Sequence, residues 1–209
     1  MSSTGGLFIT LEGGEGAGKS TAAAGLAARL RAEGQEVLLT REPGGTKGAE
    51  AIRGVLLDQD LPLDPLAQTM LHFAARADHV AHSIRPALAR GATVICDRFY
   101  DSTMAYQSYG QGVALADVRA LIRLIGLTPD ITFLLELPEE DARRRLAARA
   151  RGTDRYEEMG EAFFTRVQKG FAAMAAAEPG RFVKIDASPP PGLVVDALCQ
   201  ALRGRTGRR

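Results

Sequence analysis

Short apolar runs alternate along the chain with longer segments in which apolar side chains recur every three or four positions. Such runs are typical of strands buried on both faces, and the periodic segments of amphipathic helices. We predict strands at Leu7–Leu11, Glu36–Thr40, Ala92–Cys96, Ile131–Leu137 and Phe182–Ile185. We predict helices at Lys19–Glu33, Ala49–Leu57, Pro65–Arg90, Leu115–Leu124, Glu139–Arg149, Glu161–Glu178 and Gly192–Leu202. This alternation indicates an α/β fold, a doubly wound five-stranded parallel sheet flanked by helices.

Composition narrows the class of protein. The 209 residues, 45% hydrophobic and 24% charged, suit one domain with a substantial core. The formal net charge of +1 favours neither nucleic acid nor an acidic membrane as a partner. Cys96 and Cys199 lack metal-ligand spacing and suit a reducing compartment. With no signal-like segment near the start, we expect a cytoplasmic protein.

The first candidate site follows the first predicted strand. The segment Gly13–Ser20 fits the phosphate-binding pattern G-x-x-x-x-G-K-[ST] between a strand and a helix. Glycines let backbone N–H groups turn inward around an anion, Lys19 reaches the β- and γ-phosphates, and the Ser20 hydroxyl suits Mg²⁺. The alternative is an ordinary glycine-rich turn, which the complete motif disfavours. The predicted ATP-binding residues are Gly13, Gly14, Glu15, Gly16, Ala17, Gly18, Lys19, Ser20 and Thr21.

A phosphate-binding loop alone does not separate kinases from GTPases or mechanical ATPases. The chain contains no Asn-Lys-x-Asp or Thr-Lys-x-Asp element for reading guanine. Its length leaves no room for the added domains that couple hydrolysis to motion. A small-molecule kinase is the better fit.

Four further strings carry a family resemblance. They are Arg41-Glu42-Pro43-Gly44-Gly45, Phe73-Ala74-Ala75-Arg76, Asp97-Arg98-Phe99 and Ser102-Thr103-Met104-Ala105-Tyr106-Gln107. With the phosphate-binding loop and an arginine-rich segment, they resemble bacterial thymidylate kinases over essentially the whole chain. The resemblance implies a nucleoside monophosphate kinase fold, transfer of phosphate from ATP to dTMP with Mg²⁺, and a homodimer formed by helices away from the active site.

The resemblance assigns the acceptor phosphate to two arginines. Arg98 follows a central strand, where doubly wound sheets place ligand-binding groups, and it can fork two donors onto a phosphate. Arg53 is implied to help from the preceding helix. The alternative for either residue is a strand-end salt bridge. Ser20 and Asp97 are the candidate Mg²⁺ ligands.

The resemblance also assigns the acceptor base and sugar. Phe73 and Arg76, three positions apart, share a helix face; the family uses them to stack on thymine and to bond a base oxygen. A phenylalanine on an amphipathic helix is otherwise a core residue. Tyr106 and Gln107 follow a turn-prone polar stretch, and the family uses the tyrosine to disfavour ribose. Thr103 is expected near the base.

Two turns complete the expected acceptor pocket. Glu15 would be repelled by bound triphosphate unless it faces elsewhere, and in the family this acid binds the 3′-hydroxyl of the acceptor. The segment Glu42–Gly45 reads as a rigid turn that shapes the pocket.

An arginine-rich segment suggests a mobile lid at about residues 143–157. Its arginines are Arg143, Arg144, Arg145, Arg149, Arg151 and Arg155. The phosphate-binding loop lacks an arginine, so the chain resembles the subgroup whose lid supplies the catalytic one. We assign Arg149 and Arg151 that role beside Lys19 and Arg98, and treat Arg144 and Arg145 as solvated. By resemblance, adenine lies near the lid and the loop at 187–189.

Two rival functions remain open. Within enzymes, the rival is a kinase for another nucleoside monophosphate or for a deoxynucleoside. From another class, the rival is an ATP-binding regulator or assembly protein that transfers no phosphate. His72, His79 and His82 lie on one predicted helix, and His79 and His82 are three positions apart. A metal site there is disfavoured because no third ligand has suitable spacing to this pair.

Overall fold

The computed structural model describes residues 5–148 and 159–206. Its strands are β1 Phe8–Glu12, β2 Val37–Arg41, β3 Thr93–Asp97, β4 Ile131–Glu136 and β5 Phe182–Asp186. Its helices are α1 Lys19–Ala32, α2 Lys47–Leu57, α3 Pro65–His79, α4 Arg85–Ala89, α5 Tyr100–Thr103, α6 Leu115–Ile125, α7 Glu139–Ala147, α8 Gly160–Ala177 and α9 Pro191–Thr206. Each predicted strand is therefore confirmed to within one residue at either end.

The strands form one parallel sheet in the order β2-β3-β1-β4-β5, which confirms the predicted α/β class. The central strands are buried, whereas β2 is only half-buried because it has one neighbour. The prediction that every strand is buried on both faces is therefore wrong for both edge strands, since β5 also has exposed residues. In register, Leu11 lies opposite Asp97, so the carboxyl ends of β1 and β3 meet.

Alternation along the strands divides the core in two. On one face, Ile9 and Leu11 of β1 pack with buried residues of α1 and α9. On the other face, Phe8 belongs to a cluster formed mainly by the α3–α4 segment, α5, α6 and α8. Helices thus cover both faces, as a doubly wound sheet requires. Within the described ranges, no helix has the length and apolar character needed to cross a membrane.

Two helical segments differ from the predictions. The predicted helix Pro65–Arg90 is interrupted by a π-helical turn at Val80–Ile84. The polar stretch after β3, read as turn-prone, is instead helical, because α5 continues into a π-helical segment, Met104–Gly110. Almost every side chain of that segment is buried, so its sequence shows no polar face and no helical period. This buried helix forms one wall of the cleft described next.

Candidate active site

The segment after β1 wraps tightly around its own lysine. Gly13 has φ 139°, and a Cβ there would lie 2.5 Å from the carbonyl oxygen of Leu135, so only glycine fits without rearrangement. Lys19, in the first turn of α1, donates from Nζ to the carbonyl oxygens of Gly13 at 3.0 Å and Gly14 at 2.7 Å. The loop therefore sits at the positive N-terminal end of α1, where an anion is stabilised.

The side chain of Lys19 is shielded from solvent. Its side chain is buried, and burial together with the nearby Arg98 guanidinium lowers its pKa to about 8. A buried ammonium beside another cation is stabilised by an incoming anion. The environment of Lys19 therefore favours binding of a polyanion such as a triphosphate.

Ser20 and Asp97 come together next to this loop. The Ser20 hydroxyl donates to Asp97 Oδ2 at 2.5 Å. The other carboxylate oxygen, Oδ1, is buried and finds no hydrogen-bond partner among the described residues. A hydroxyl and an unpartnered carboxylate oxygen are ligands that Mg²⁺ prefers, so the two residues predicted to hold the metal fit it. Within the described ranges, no three His, Cys, Asp or Glu side chains form a metal cluster.

Arg98 is the hub of the adjacent cleft. It is the one described non-glycine residue with positive φ, at 68°, which turns its side chain back toward the loop after β1. Its guanidinium donates to Ser102 Oγ at 2.9 Å, to the Tyr106 hydroxyl at 3.3 Å, and to Glu15 Oε1. The Tyr106 hydroxyl in turn donates to Glu15 at 2.9 Å. The strand-end salt bridge considered for Arg98 therefore exists, and it faces the cleft.

Most of the predicted acceptor residues line this one cleft. They are Glu15, Arg53, Arg76, Arg98, Thr103, Tyr106 and Gln107, and the same cleft is also lined by Lys19, Ser20 and Asp97. Thr21 and Phe73 are not among its lining residues, and Gly13, Gly14 and Ala17 of the predicted ATP site line a neighbouring cavity instead. The phosphate-binding loop and the predicted acceptor pocket are therefore continuous, as transfer between two nucleotides requires.

A buried ion-paired group supports Arg76. Arg76 Nε donates to Glu42 Oε2 at 2.7 Å, and His79 Nδ1 lies 3.1 Å from the other carboxylate oxygen. The second His79 nitrogen lies 2.7 Å from the Thr40 hydroxyl. Glu42 stands in the predicted rigid turn, whose bond to Pro43 is cis. This arrangement fixes the planar guanidinium at the cleft wall.

Arg76 retains a free donor. Its Nη2 donates to Thr103 Oγ1 at 3.1 Å, whereas Nη1 is buried and has no partner among the described residues. A buried N–H without a partner is costly, by about 1–3 kcal/mol. The pair Arg76 and Thr103 is therefore suited to bond a polar edge of a ligand.

The structure does not bring Phe73 to the cleft. Its ring lies in the hydrophobic core, 4% exposed, beneath the Arg76 guanidinium at 4.6 Å. The α3 side chain that lines the cleft is His72, one position earlier. Burial, followed by the positive charges of nearby arginines, lowers the pKa of His72 to about 3, so the ring is a neutral, flat surface. The sequence signal for His72 is its position four residues before Arg76. The assignment of base stacking to Phe73, made from the family resemblance, overlooked that spacing.

The remaining predicted residues hold the cleft walls. Arg53 Nη1 donates to the Pro43 carbonyl at 2.9 Å, so it joins α2 to the rigid turn at the cleft. Gln107, almost fully buried, donates to the Gln111 side chain at 3.4 Å.

The three histidines do not form a cluster, because His82 pairs with Asp78 at the surface, away from His72 and His79.

The predicted lid is described only at its beginning. Arg149 and Arg151, with the rest of 149–158, lie outside the described residues. Arg144 is exposed and pairs with Asp141, in agreement with a solvated role. For Arg145 that expectation is wrong, because it donates to the carbonyl oxygens of Ala187 at 2.9 Å and Ser188 at 3.2 Å. These bonds fix α7 to the loop where adenine was expected.

A complete phosphate-binding loop that opens directly into a second, arginine-lined cleft defines a P-loop kinase for a small phosphorylated acceptor. The family model for thymidylate kinase matches residues 11–198, which is most of the chain. The chain therefore belongs to the thymidylate kinase family.

Similar proteins support this membership over nearly the full length. The thymidylate kinase of Gluconobacter oxydans (strain 621H) is 54% identical over 201 residues, covering 94% of each chain. That of Pseudomonas fluorescens (strain SBW25) is 53% identical over 206 residues, covering 96% of this chain and 98% of the relative. The crystal structure of thymidylate kinase from Ehrlichia chaffeensis aligns with a TM-score of 0.77 at 34% identity, covering 95% and 99% of the two chains.

Proposed function

We propose that this chain transfers the γ-phosphoryl group of ATP to dTMP, giving ADP and dTDP. Family membership makes the chain a kinase that phosphorylates dTMP. The observation that carries the proposal is the continuity of the two sites, because Lys19 of the phosphate-binding loop and Arg98 of the acceptor cleft line one cavity.

The acceptor phosphate is itself an anionic nucleophile, so the reaction needs no dedicated general base. Catalysis consists of aligning two nucleotides and neutralising charge on the transferring group. Lys19 holds the β- and γ-phosphates of ATP, and Arg98, helped by Arg53, holds the acceptor phosphate. Ser20 and Asp97 would hold Mg²⁺, which supplies charge neutralisation between the phosphates when bound.

The acceptor nucleoside then extends along the cleft away from the loop. Glu15 binds the 3′-hydroxyl, which accounts for a carboxylate beside a phosphate site. Tyr106 lies against the sugar, and Arg76 with Thr103 and Gln107 meets the edge of thymine. His72, rather than Phe73, is the ring available to stack on the base.

Lys19 and Arg98 supply two positive charges, and we assign a third to the lid at about 143–157, where Arg149 or Arg151 closes over the transferring group. A closed lid also excludes water, which would otherwise compete as acceptor. Comparing turnover of Arg149→Ala with that of Arg151→Ala identifies which arginine acts. Equal, wild-type turnover in both variants would show that neither arginine acts on the transferring group.

We also propose that the chain is a cytoplasmic homodimer with one domain per protomer. Leu66 and Met70, one helical turn apart on α3, are 40% and 55% exposed, and Val55 on the neighbouring α2 is 41% exposed. Unpaired apolar side chains on packed helices suit a second copy of the chain. Met70→Glu is expected to halve the mass measured by light scattering, whereas Leu193→Glu, a control on α9, is not.

Product analysis tests the proposed reaction. With Mg-ATP and dTMP, the enzyme is expected to form ADP and dTDP in equal amounts. ADP without dTDP would instead support the rival, an ATP-binding protein that transfers no phosphate to dTMP.

A further inference from the structure

One buried carboxyl group takes no part in the proposed reaction. Glu12 is the last residue of β1, is fully buried, and immediately precedes the phosphate-binding loop. Its position at the carboxyl end of the central strand places it behind Arg98, not in the cleft, whose lining does not include it. A buried acid is costly unless its oxygens accept hydrogen bonds.

Both oxygens of Glu12 are used, and both bonds lead to Arg98. Oε1 accepts from the backbone N–H of Phe99 at 2.7 Å, which fixes the peptide directly after Arg98. Oε2 accepts from the Ser102 hydroxyl at 2.6 Å. The same Ser102 oxygen accepts from Arg98 Nη1 at 2.9 Å.

The backbone of Arg98 needs such support. Its φ of 68° lies in the left-handed region, which costs a side chain-bearing residue about 1–2 kcal/mol. Strained conformations of this kind persist where surrounding bonds hold them. Glu12 fixes the peptide bond that follows Arg98 and, through Ser102, it also fixes the Arg98 guanidinium.

We propose that Glu12 is a positioning residue that sets the backbone and guanidinium of Arg98 for the acceptor phosphate. This proposal rests on the proposed function, since it takes Arg98 to bind that phosphate. Glu12 does not line the cleft and is taken to act through Arg98. A misplacement of about 1 Å at a binding group can lower a rate about a hundredfold.

The protonation state of Glu12 determines which substitutions test its positioning role. Burial, followed by the charge of Asp101, raises the pKa of Glu12 to about 8, against the opposing effects of Ser102, Arg98 and the Phe99 N–H. Near neutral pH the group therefore carries a proton, and with this proton on Oε2 the 2.6 Å bond to Ser102 runs from the acid to the hydroxyl oxygen. Glutamine matches this form, because its amide can donate to Ser102 and its oxygen still accepts from Phe99. Leucine removes both acceptors at similar volume. Glu136→Leu is the matched control, since Glu136 ends the neighbouring strand β4 and is half exposed.

The test is a double-mutant cycle with Arg98→Ala, assayed by kcat/KM for dTMP and KM for ATP. We expect Glu12→Leu to lower kcat/KM for dTMP about 10- to 100-fold, with KM for ATP within about threefold of wild type. Glu12→Gln should restore kcat/KM to within about threefold. In the Arg98→Ala background, Glu12→Leu should add less than about twofold, because the residue it positions is gone.

Several results would overturn the proposal. One is a Glu12→Leu loss that persists in full in the Arg98→Ala background. Others are a loss of kcat/KM in Glu12→Gln as large as that in Glu12→Leu, or an equal loss in Glu136→Leu.

Ser102→Ala is the substitute variant if Glu12→Leu does not fold, because it removes only the link to the guanidinium. It is expected to lower kcat/KM about 3- to 10-fold and to add nothing to Arg98→Ala. Wild-type turnover in Arg98→Ala would overturn both this proposal and the assigned role of Arg98, whereas absent dTMP turnover in the wild type would overturn the proposed function itself.

Discussion

The raised pKa of Glu12 predicts an unusual dependence of stability on pH. The carboxyl group titrates near pH 8 in the folded chain, against an ordinary value of 4.5. Between these values the unfolded chain loses the proton that the folded chain keeps, so the free energy of unfolding falls as pH rises. At about 1.4 kcal/mol per pH unit, the whole window corresponds to on the order of 4 to 5 kcal/mol, shared in part with the neighbouring Asp101 carboxyl, whose pKa is also raised by burial.

The substitution Glu12→Gln isolates this contribution, because the amide does not titrate and matches the protonated acid. At pH 5 the variant and the wild type should have similar free energies of unfolding. By pH 8 the variant should be the more stable of the two by several kcal/mol. Urea unfolding followed by circular dichroism at pH 5, 6, 7 and 8 gives the difference directly. Glu136→Gln controls for the substitution itself. A difference that stays constant from pH 5 to 8, or that shifts in favour of the wild type, would contradict a raised pKa of Glu12 in the folded chain.

Three further predictions concern the cleft. Lys19→Ala should lower turnover at least about a hundredfold with an unchanged circular dichroism spectrum, because a charge contact to the transferring phosphate is lost; turnover near wild type would contradict that role. His72→Ala should raise KM for dTMP, whereas Phe73→Leu should lower the Tm and leave KM unchanged, and the opposite pattern would return the stacking role to Phe73. Tyr106→Phe removes the hydroxyl bonded to Glu15 and should raise KM for dTMP several-fold; an unchanged KM would show that this bond does not orient the acid.

The features that could be predicted from the sequence are those that depend on short-range patterns of residues. The strands and the phosphate-binding loop follow from apolar runs and from a motif whose glycines and lysine have fixed spacing. The helix at Tyr100–Gly110 was missed because it is buried on nearly every side, so no alternation of polar and apolar residues marks it. The choice between His72 and Phe73 depends on the rotation of α3 against its neighbours, which tertiary packing sets.

Long-range contacts explain the other differences. Arg145 looked like one more solvated arginine, but the loop at 187–189 approaches it from far along the chain. Glu12 directly follows the first strand as predicted from the sequence, and no local pattern marks it. Its function as a hydrogen-bond acceptor depends on Phe99 and Ser102, which only the pairing of β1 with β3 brings near.

The proposed function requires this chain to phosphorylate dTMP in preference to other acceptors. The most direct measurement is kcat/KM with Mg-ATP for dTMP, UMP, CMP and thymidine, assayed by ADP release and by identification of the phosphorylated product. We expect dTMP to be the best of the four, because the proposed cleft offers Arg98 for a phosphate and Tyr106 against the sugar. A higher kcat/KM for UMP, CMP or thymidine would contradict the assigned specificity, and the absence of acceptor-dependent ADP release would contradict the kinase reaction.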